Sequence, residues 1–274
     1  MKLSKLFKRK MQATGNRVVD FYSKYDEDGR FARKSRMPEF LITMQFIEKY
    51  LFSGAKIIEI GAGTGRYSFA LAEKGYEVTA VDLTPAHITQ MQKMKNEHHN
   101  MHIYEANACD LSRFADASFD IVLLLGPMYH LFTDADKHKA LREALRICKD
   151  GGIVFVSYCN NDTTMYKYFY NGKILEYLDK GAILDDYHAR SIPEEVFELY
   201  RKSDIDALMQ NYNVTRLHFV GVDMLSYLFD DSFDRMSDRL FDEYMKFLSV
   251  LCEREDSTGL SIHMLDIFRK EKEQ

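Results

Sequence analysis

Short apolar runs alternate with helical stretches between Lys56 and Ser157. Five of the runs are rich in β-branched residues or almost continuously apolar, as strands covered on both faces are. They comprise residues 56–60, 77–81, 101–104, 119–125 and 153–157. Right-handed crossovers would place the intervening helices on both faces of a sheet, so the pattern predicts a doubly wound, mainly parallel α/β sheet with the fourth run at its centre.

The alternation stops after Tyr158, where about fifty tyrosine-rich residues favour helix. That length exceeds an ordinary connection in a compact domain, and we interpret the segment as a helical cap. The sheet is expected to resume at residues 214–220 and to close with a seventh strand at residues 261–268. A long amphipathic helix between them is expected to bury one stripe, formed by Phe233, Met236, Leu240, Tyr244, Phe247 and Leu251.

The pattern divides the chain into four parts. Residues 1–50 are expected to form an N-terminal helical leader, and residues 51–159 the first part of the core. Residues 160–211 are the cap insertion, and residues 212–274 complete the core with the long helix and the last strand.

The charge of the chain argues against a nucleic-acid partner. The formal net charge is -5, and between Glu176 and Asp206 nine acids face four bases, so a polyanion would be repelled there. The basic run from Lys2 to Lys10 is interpreted as a solvated terminus, with a weak contact to an anionic surface or to RNA as the alternative. No apolar stretch suited to a signal sequence or a membrane span follows it, and a cytoplasmic protein is expected.

The four cysteines carry no metal signature. Cys109, Cys148, Cys159 and Cys252 are far apart and form no CxxC pair. Neither a zinc site nor a disulfide framework is therefore indicated, and we expect reduced thiols.

A glycine cluster follows the first predicted strand, in the segment Glu59-Ile60-Gly61-Ala62-Gly63-Thr64-Gly65. Its glycines allow a sharp turn and a close approach of a ligand to the backbone. The segment resembles the first motif, E/D-x-G-x-G-x-G, of the class I S-adenosylmethionine-dependent methyltransferases. The dinucleotide spacing G-x-G-x-x-G would need a glycine at Arg66, which disfavours NAD; a turn that binds nothing is the other alternative. The resemblance implies cofactor contacts by Glu59, Gly61, Ala62, Gly63 and Gly65.

The end of the second strand fits the same resemblance. Asp82 stands where a carboxylate can accept hydrogen bonds from two ribose hydroxyls, and Leu83 follows it. The alternative for Asp82 is a favourable charge at the start of the helix near Pro85. The resemblance gives Asp82 and Leu83 a place at the cofactor.

The segment Asn107–Leu111 resembles the family pattern D-A-x-x-L, whose leading acid meets the adenine amino group. Here Asn107 replaces the acid, and its amide oxygen can still accept from an exocyclic amine. Asn107 and Ala108 are therefore expected at the adenine. Asp110 is a second candidate, or it caps a turn.

The segment Leu125–Leu131 resembles the family region beside the transferred methyl group. Leu125 is expected at the cofactor, and Tyr129 and His130 at the acceptor. His130 could act as a general base, since the unperturbed pKa of a histidine is near ~6.5, or it could pack in a pocket where alignment and desolvation suffice. The D/N/S-P-P-Y/F/W motif of base methyltransferases is absent, which disfavours DNA.

The resemblance covers residues 56–157 motif by motif. It implies a seven-stranded Rossmann-like sheet that binds S-adenosylmethionine and methylates an O, N, S or C atom of an unidentified small molecule. In related enzymes a leader folds over the cofactor, so Tyr22 and Tyr25 are candidates for its methionine end. No DNA, membrane or metal partner is expected. The alternatives are an RNA or protein methyltransferase and a non-catalytic cofactor-binding module.

Overall fold

The computed structural model describes residues 17–22, 32–192 and 197–272. Its centre is one sheet with the strand order β3-β2-β1-β4-β5-β8-β7. The strands are β1 Lys56–Ile60, β2 Glu77–Asp82, β3 Met101–Glu105, β4 Phe119–Leu124, β5 Cys148–Asn160, β6 Leu199–Tyr200, β7 Val214–Gly221 and β8 His263–Lys270. The two-residue β6 pairs with the end of β5 outside that order.

Strands β1 to β5 are parallel, whereas β8 runs antiparallel to both β5 and β7. The predicted doubly wound, mainly parallel sheet is confirmed, with β4 at its centre and β6 as an addition. Because parallel strands end at one edge, the segments that follow β1, β2, β3, β4 and β5 meet at the carboxyl edge of the sheet, where ligands of such folds bind.

Helices cover both faces of the sheet. They are α1 Met37–Glu48, α2 Arg66–Glu73, α3 Pro85–Met94, α4 Asp134–Ile147, α5 Asn161–Tyr170, α6 Ile174–Asp179, α7 Lys202–Met209, α8 Asp230–Asp234 and α9 Asp238–Leu251, and residues 17–22 are also helical. Alternate residues of a strand belong to two hydrophobic cores, one on each face of the sheet. Ile57 lies in the core formed with α1, α2, α3 and α9, whereas Ile58 lies in the core formed with α4 and α7. None of the described helices is long and apolar enough to cross a membrane.

The segment predicted as a cap is divided between two environments. Tyr200, Ile205 and Leu208 belong to the core cluster on the α4 face. Met165, Ile174 and Ile183 form a small cluster of their own. The part that stands apart from the core is therefore built on α5 and α6, and the boundaries of the cap at residues 160 and 211 stay a prediction.

The predicted buried stripe of the last helix is wrong in part. Leu240 is 54% exposed and Phe247 is 59% exposed, whereas Phe241 and Leu248 are buried. The helix is interrupted, because Ser237 caps a new helix by accepting a hydrogen bond from the N–H of Leu240. The new start places the buried face of α9 one residue later than the uninterrupted pattern predicts.

Candidate active site

The glycine loop between β1 and α2 has backbone angles that favour glycine. Gly61, Gly63 and Gly65 have φ values of +77°, +56° and +88°, a region in which residues with a Cβ are strained. A Cβ on Gly61 would also lie 2.7 Å from Cδ of Pro127. The loop therefore touches the segment that follows β4, and two of the predicted site segments meet.

Asp82 lies at the end of β2 and is bound to the loop. Its Oδ2 accepts a hydrogen bond from the N–H of Gly63 at 2.8 Å, and its Oδ1 accepts one from the N–H of Thr84 at 2.7 Å. The ring Nδ1 of His87 is 3.1 Å from the same Oδ1. A carboxylate has about four acceptor positions, so roughly one is left for a ligand. A second ribose hydroxyl would have to replace one of the three donors.

Glu59, in β1, is bonded to the helix that follows the glycine loop. Its carboxylate is buried and accepts hydrogen bonds from the N–H and hydroxyl of Ser68, inside α2. Burial raises the pKa of Glu59 to about 8, against the effect of the Ser68 hydrogen bonds, and the nearby Asp82 adds to the rise. In the structure Glu59 is therefore bonded to α2, and its direct contact with the cofactor stays a prediction.

The segment predicted to meet the adenine lies beside Asp82, because the N–H of Ala106, just before it, donates to the carbonyl oxygen of Asp82 at 3.0 Å. Asn107 Oδ1 accepts from the N–H of Cys109 at 2.9 Å and keeps a second lone pair. Asp110 is exposed and accepts from the N–H of Ser112 at 3.3 Å, as the cap of a turn does. Two more predicted cofactor residues lie nearby in the chain: Ala108 is buried and Leu83 is half-buried.

The segment after β4 forms a short 3-10 helix, Pro127–His130. The Nε2 of His130 is 3.0 Å from the hydroxyl of Tyr22, which lies in the helical residues 17–22. Tyr129 donates its hydroxyl to the carbonyl oxygen of Leu125 at 3.1 Å, so this ring is turned back towards the strand. The structure brings together His130, Tyr129 and one of the two predicted leader tyrosines. Tyr25 and the basic run Lys2–Lys10 lie outside the described residues.

Aromatic rings close over this segment. The ring of Tyr22 is 5.4 Å from that of His130 and 5.5 Å from that of His87, between centroids. Phe197 adds a ring 5.3 Å from His130 and 5.8 Å from Tyr129. Tyr22 thus connects the ends of β2 and β4. These five rings form one cluster of ring contacts, which Phe21 extends through Tyr22 and Phe197.

Sequence reasoning missed three residues of this region. His87 could have been found, because it lies in the first turn of α3, shortly after Asp82, and its ring reaches the Asp82 carboxylate. Lys137 and Glu198 form a buried ion pair at 2.6 Å, and the N–H of Glu198 donates to the carbonyl oxygen of Tyr129. Lys137 and Glu198 are 61 residues apart in the chain, so no local sequence pattern predicts the pair.

Comparison with known proteins identifies the class of this domain. A family described as "Methyltransferase domain" matches residues 58–156. This match covers less than half of the chain, and it confirms the resemblance to the class I S-adenosylmethionine-dependent methyltransferases found in the sequence. The family and the fold imply S-adenosylmethionine as the cofactor, and the acid at Asp82 and the acceptor at Asn107 fit its ribose and adenine.

Three similar proteins show how far the likeness extends. A glycine/sarcosine/dimethylglycine N-methyltransferase of Actinopolyspora halophila is 23% identical over 74% of this chain, which spans only 37% of that protein. A ubiquinone biosynthesis O-methyltransferase of Pseudomonas fluorescens is 26% identical over 63% of this chain and 75% of its own length. A solved S-adenosylmethionine-dependent methyltransferase of Methanosarcina mazei has a TM-score of 0.56 at 17% identity, covering 83% of this chain and 98% of its own. The last likeness shows the fold.

Proposed function

We propose that this chain transfers the methyl group of S-adenosylmethionine to a small-molecule acceptor at the carboxyl edge of its sheet. The hydrogen bond from Gly63 to Asp82 carries the proposal. It fixes a glycine turn after one strand against an acceptor carboxylate after the neighbouring strand, which is the arrangement a nucleoside ligand needs. Tyr129 and His130 follow the next strand on the other side of that turn.

Bound S-adenosylmethionine supplies an activated methyl group, so the protein has to orient the reactants and exclude water. Asp82 would hold the ribose and Asn107 the adenine. The rings around Tyr22, Tyr129 and Phe197 would exclude water above the end of β4. His130 would receive a proton from an acceptor, through Nε2 or the hydroxyl of Tyr22.

A small acceptor is favoured over RNA by the charge of the chain. The formal net charge is -5, and an acidic cap beside the site would repel a phosphate backbone. The relatives named above point in the same direction, since one is named for N-methylation of glycine derivatives and the other for O-methylation in ubiquinone biosynthesis. Those two names differ in the atom methylated, so both amines and phenols belong in the acceptor screen.

Two measurements test the proposal. Calorimetry should show binding of S-adenosylmethionine and S-adenosylhomocysteine and none of NAD, because the third glycine is Gly65 and not residue 66. Release of S-adenosylhomocysteine is then measured with glycine, sarcosine, dimethylglycine, catechols, RNA and a protein lysate as acceptors. Turnover with a small amine or phenol supports the proposal.

The other results have separate meanings. Turnover with RNA or protein alone would replace the small acceptor by a macromolecule. Cofactor binding without turnover on any acceptor would favour a non-catalytic module. NAD binding without a response to either methionine-derived ligand would overturn the assignment altogether.

A further inference from the structure

Lys137 and Glu198 form an ion pair close to the aromatic rings of the candidate site. Nζ of Lys137 lies 2.6 Å from Oε1 of Glu198, and both side chains are buried. Oε2 of Glu198 accepts a hydrogen bond of 2.6 Å from the hydroxyl of Ser191, so both carboxylate oxygens are engaged. The pair therefore connects the first turn of α4 with the chain just before β6.

The segment that carries Glu198 also holds the short helix Pro127–His130. The backbone N–H of Glu198 donates to the carbonyl oxygen of Tyr129 at 2.7 Å. Two residues later, the hydroxyl of Tyr200 donates to the carbonyl oxygen of Met128 at 2.8 Å. The backbone that presents the two candidate acceptor residues is thus bonded, at two consecutive carbonyls, to the segment that the ion pair fixes.

Phe197 is the residue before Glu198, and its ring packs against the candidate general base. The ring centroid lies 5.3 Å from that of His130, 5.8 Å from that of Tyr129 and 6.0 Å from that of Phe21. Phe197 is nevertheless 43% exposed. Its own burial therefore contributes less to its placement than full burial of a phenylalanine would, and the adjoining ion pair is the stronger constraint on its backbone.

A buried ion pair is a poor way to gain stability. Removal of two charges from water costs about as much as their attraction returns, and apolar residues of similar volume often stabilise a fold equally well. A charge-assisted hydrogen bond does restrict geometry, because it requires a short distance and a suitable direction. The main effect of the pair is therefore expected in the positions of Phe197 and of the helix Pro127–His130.

We propose that Lys137 and Glu198 are positioning residues for methyl transfer, which hold His130 and the ring of Phe197 in the arrangement that the reaction needs. The inference rests on the proposed function. Neither charged group has to touch a reactant, because Glu198 acts through its own backbone N–H and through the residue before it. A displacement of about 1 Å at a reacting group can lower a rate by about 10²-fold, so loss of the pair should lower kcat more than cofactor affinity.

The test compares Lys137→Met, Glu198→Gln and the double variant with the wild-type chain. Each single variant leaves one buried charge without its partner and should unfold at a lower temperature. The double variant removes both charges at similar volume and should regain most of that loss. Its kcat with the best acceptor of the screen should still be at least about tenfold lower, with the affinity for S-adenosylhomocysteine within a few fold.

The position of the ring can also be measured without an acceptor. The chain contains no tryptophan, so Phe197→Trp introduces a single indole whose fluorescence reports its surroundings. In this background the double change should move the emission maximum to longer wavelength, because the indole gains contact with water. The matched control is Lys149→Met with Asp120→Asn, which removes an ion pair of 2.7 Å at the amino ends of β4 and β5 and should change neither kcat nor emission.

A wild-type kcat, or an unchanged emission maximum, in a folded double variant would overturn the inference. If the double variant does not fold, Ser191→Ala takes its place. It removes one hydrogen bond from Glu198 and should give smaller changes of the same kind, and their absence would count against the inference equally. A wild-type chain without turnover on any acceptor would contradict the proposed function, and the emission maximum would then decide by itself whether the pair positions the ring.

Discussion

Asp82 accepts a hydrogen bond of 2.8 Å from the backbone N–H of Gly63, nineteen residues earlier in the chain. The bond joins the turn after β1 to the end of β2. The same carboxylate also accepts from Thr84 and lies beside His87. It therefore orders the glycine loop in addition to any ligand that it binds. The two interpretations that the sequence offered for Asp82, ribose acceptor and helix-start charge, are therefore compatible.

Replacing this acid should weaken cofactor binding. Asp82→Ala removes a charged acceptor that contributes ~1.5 to 3 kcal/mol, so the dissociation constant of S-adenosylhomocysteine should rise about tenfold or more. Asp82→Asn keeps one oxygen and should lose less. Asp179→Asn, an exposed acid of α6, controls for the change in net charge. Unchanged affinity in a folded Asp82→Ala chain would show that the ribose is held elsewhere.

A comparison of Gly61 with Gly151 separates the stability cost of a left-handed backbone from the cost of a steric contact. Their φ values are +77° and +76°. A Cβ added at Gly61 would contact Pro127, whereas a Cβ added at Gly151 would have no atom within 4 Å. Gly151→Ala should cost about 1 to 2 kcal/mol of stability from the left-handed backbone alone and leave cofactor affinity unchanged. Gly61→Ala should cost more and displace the segment after β4. Thermal unfolding and calorimetry measure the two effects, and equal losses in both variants would show that the contact with Pro127 is unimportant.

The sheet could be predicted because its signals are local. Residues 121–124 of β4 are apolar at every position and buried on both faces, so the central place of this strand follows from composition. The face of α9 could not be predicted in the same way. Its helical period is clear, but the cap at Ser237 decides where the helix starts, and a shift of one residue exchanges Leu240 for Phe241 at the core.

The residues of the candidate site also differ in whether a local sequence signal predicts them. Gly61, Gly63, Gly65 and Asp82 follow consecutive strands at fixed spacing, and chain order is enough to find them. Lys137 and Glu198, by contrast, are brought together only by the fold, since 61 residues separate them in the chain. Each resembles an ordinary surface charge in the sequence, so only the tertiary arrangement distinguishes them.

Glu59 should make stability depend on pH. Its pKa is about 8 in the folded chain, above the ordinary value of 4.5 expected when unfolded. Between these values the folded chain keeps a proton that the unfolded chain has lost, so stability falls as pH rises, by up to about 1.4 kcal/mol per pH unit. Glu59→Gln should flatten the fall in melting temperature between pH 5 and pH 8. Glu73→Gln, an exposed acid on α2, should not, and an equal slope in wild-type and Glu59→Gln chains would contradict the assignment.

His130 should affect turnover more than cofactor affinity. If it receives the acceptor proton, His130→Gln should lower kcat by about 10²- to 10⁴-fold, while the dissociation constant of S-adenosylhomocysteine changes little. Tyr22→Phe, which removes the hydroxyl 3.0 Å from Nε2, should show a smaller loss of the same kind. His138→Gln, at a histidine bonded to Tyr212 on the α4 face, is the control. If the His130→Gln chain turned over at the wild-type rate, alignment and desolvation would account for the catalysis without a general base.

The last prediction concerns the choice of acceptor, which we assign to the cap. Removal of residues 160–211 as a whole would take Tyr200 and Ile205 out of the core, so a smaller excision is needed. Helix α6 is suitable, because its Ile174 packs within the separate cluster with Met165, and its Tyr177 stacks on Tyr168 at 4.5 Å.

Replacing residues 173–180 by a short glycine-serine linker should therefore leave the fold intact and the affinity for S-adenosylhomocysteine within a few fold. Transfer to the native acceptor should fall sharply, because α5 loses the stacked ring and the apolar side chain that position it. The measurement is the rate of S-adenosylhomocysteine release with the best acceptor of the screen. If the excised, folded chain methylates that acceptor at the original rate, α6 is only packing, and the acceptor site has to be sought beside Tyr129, His130 and the helical residues 17–22.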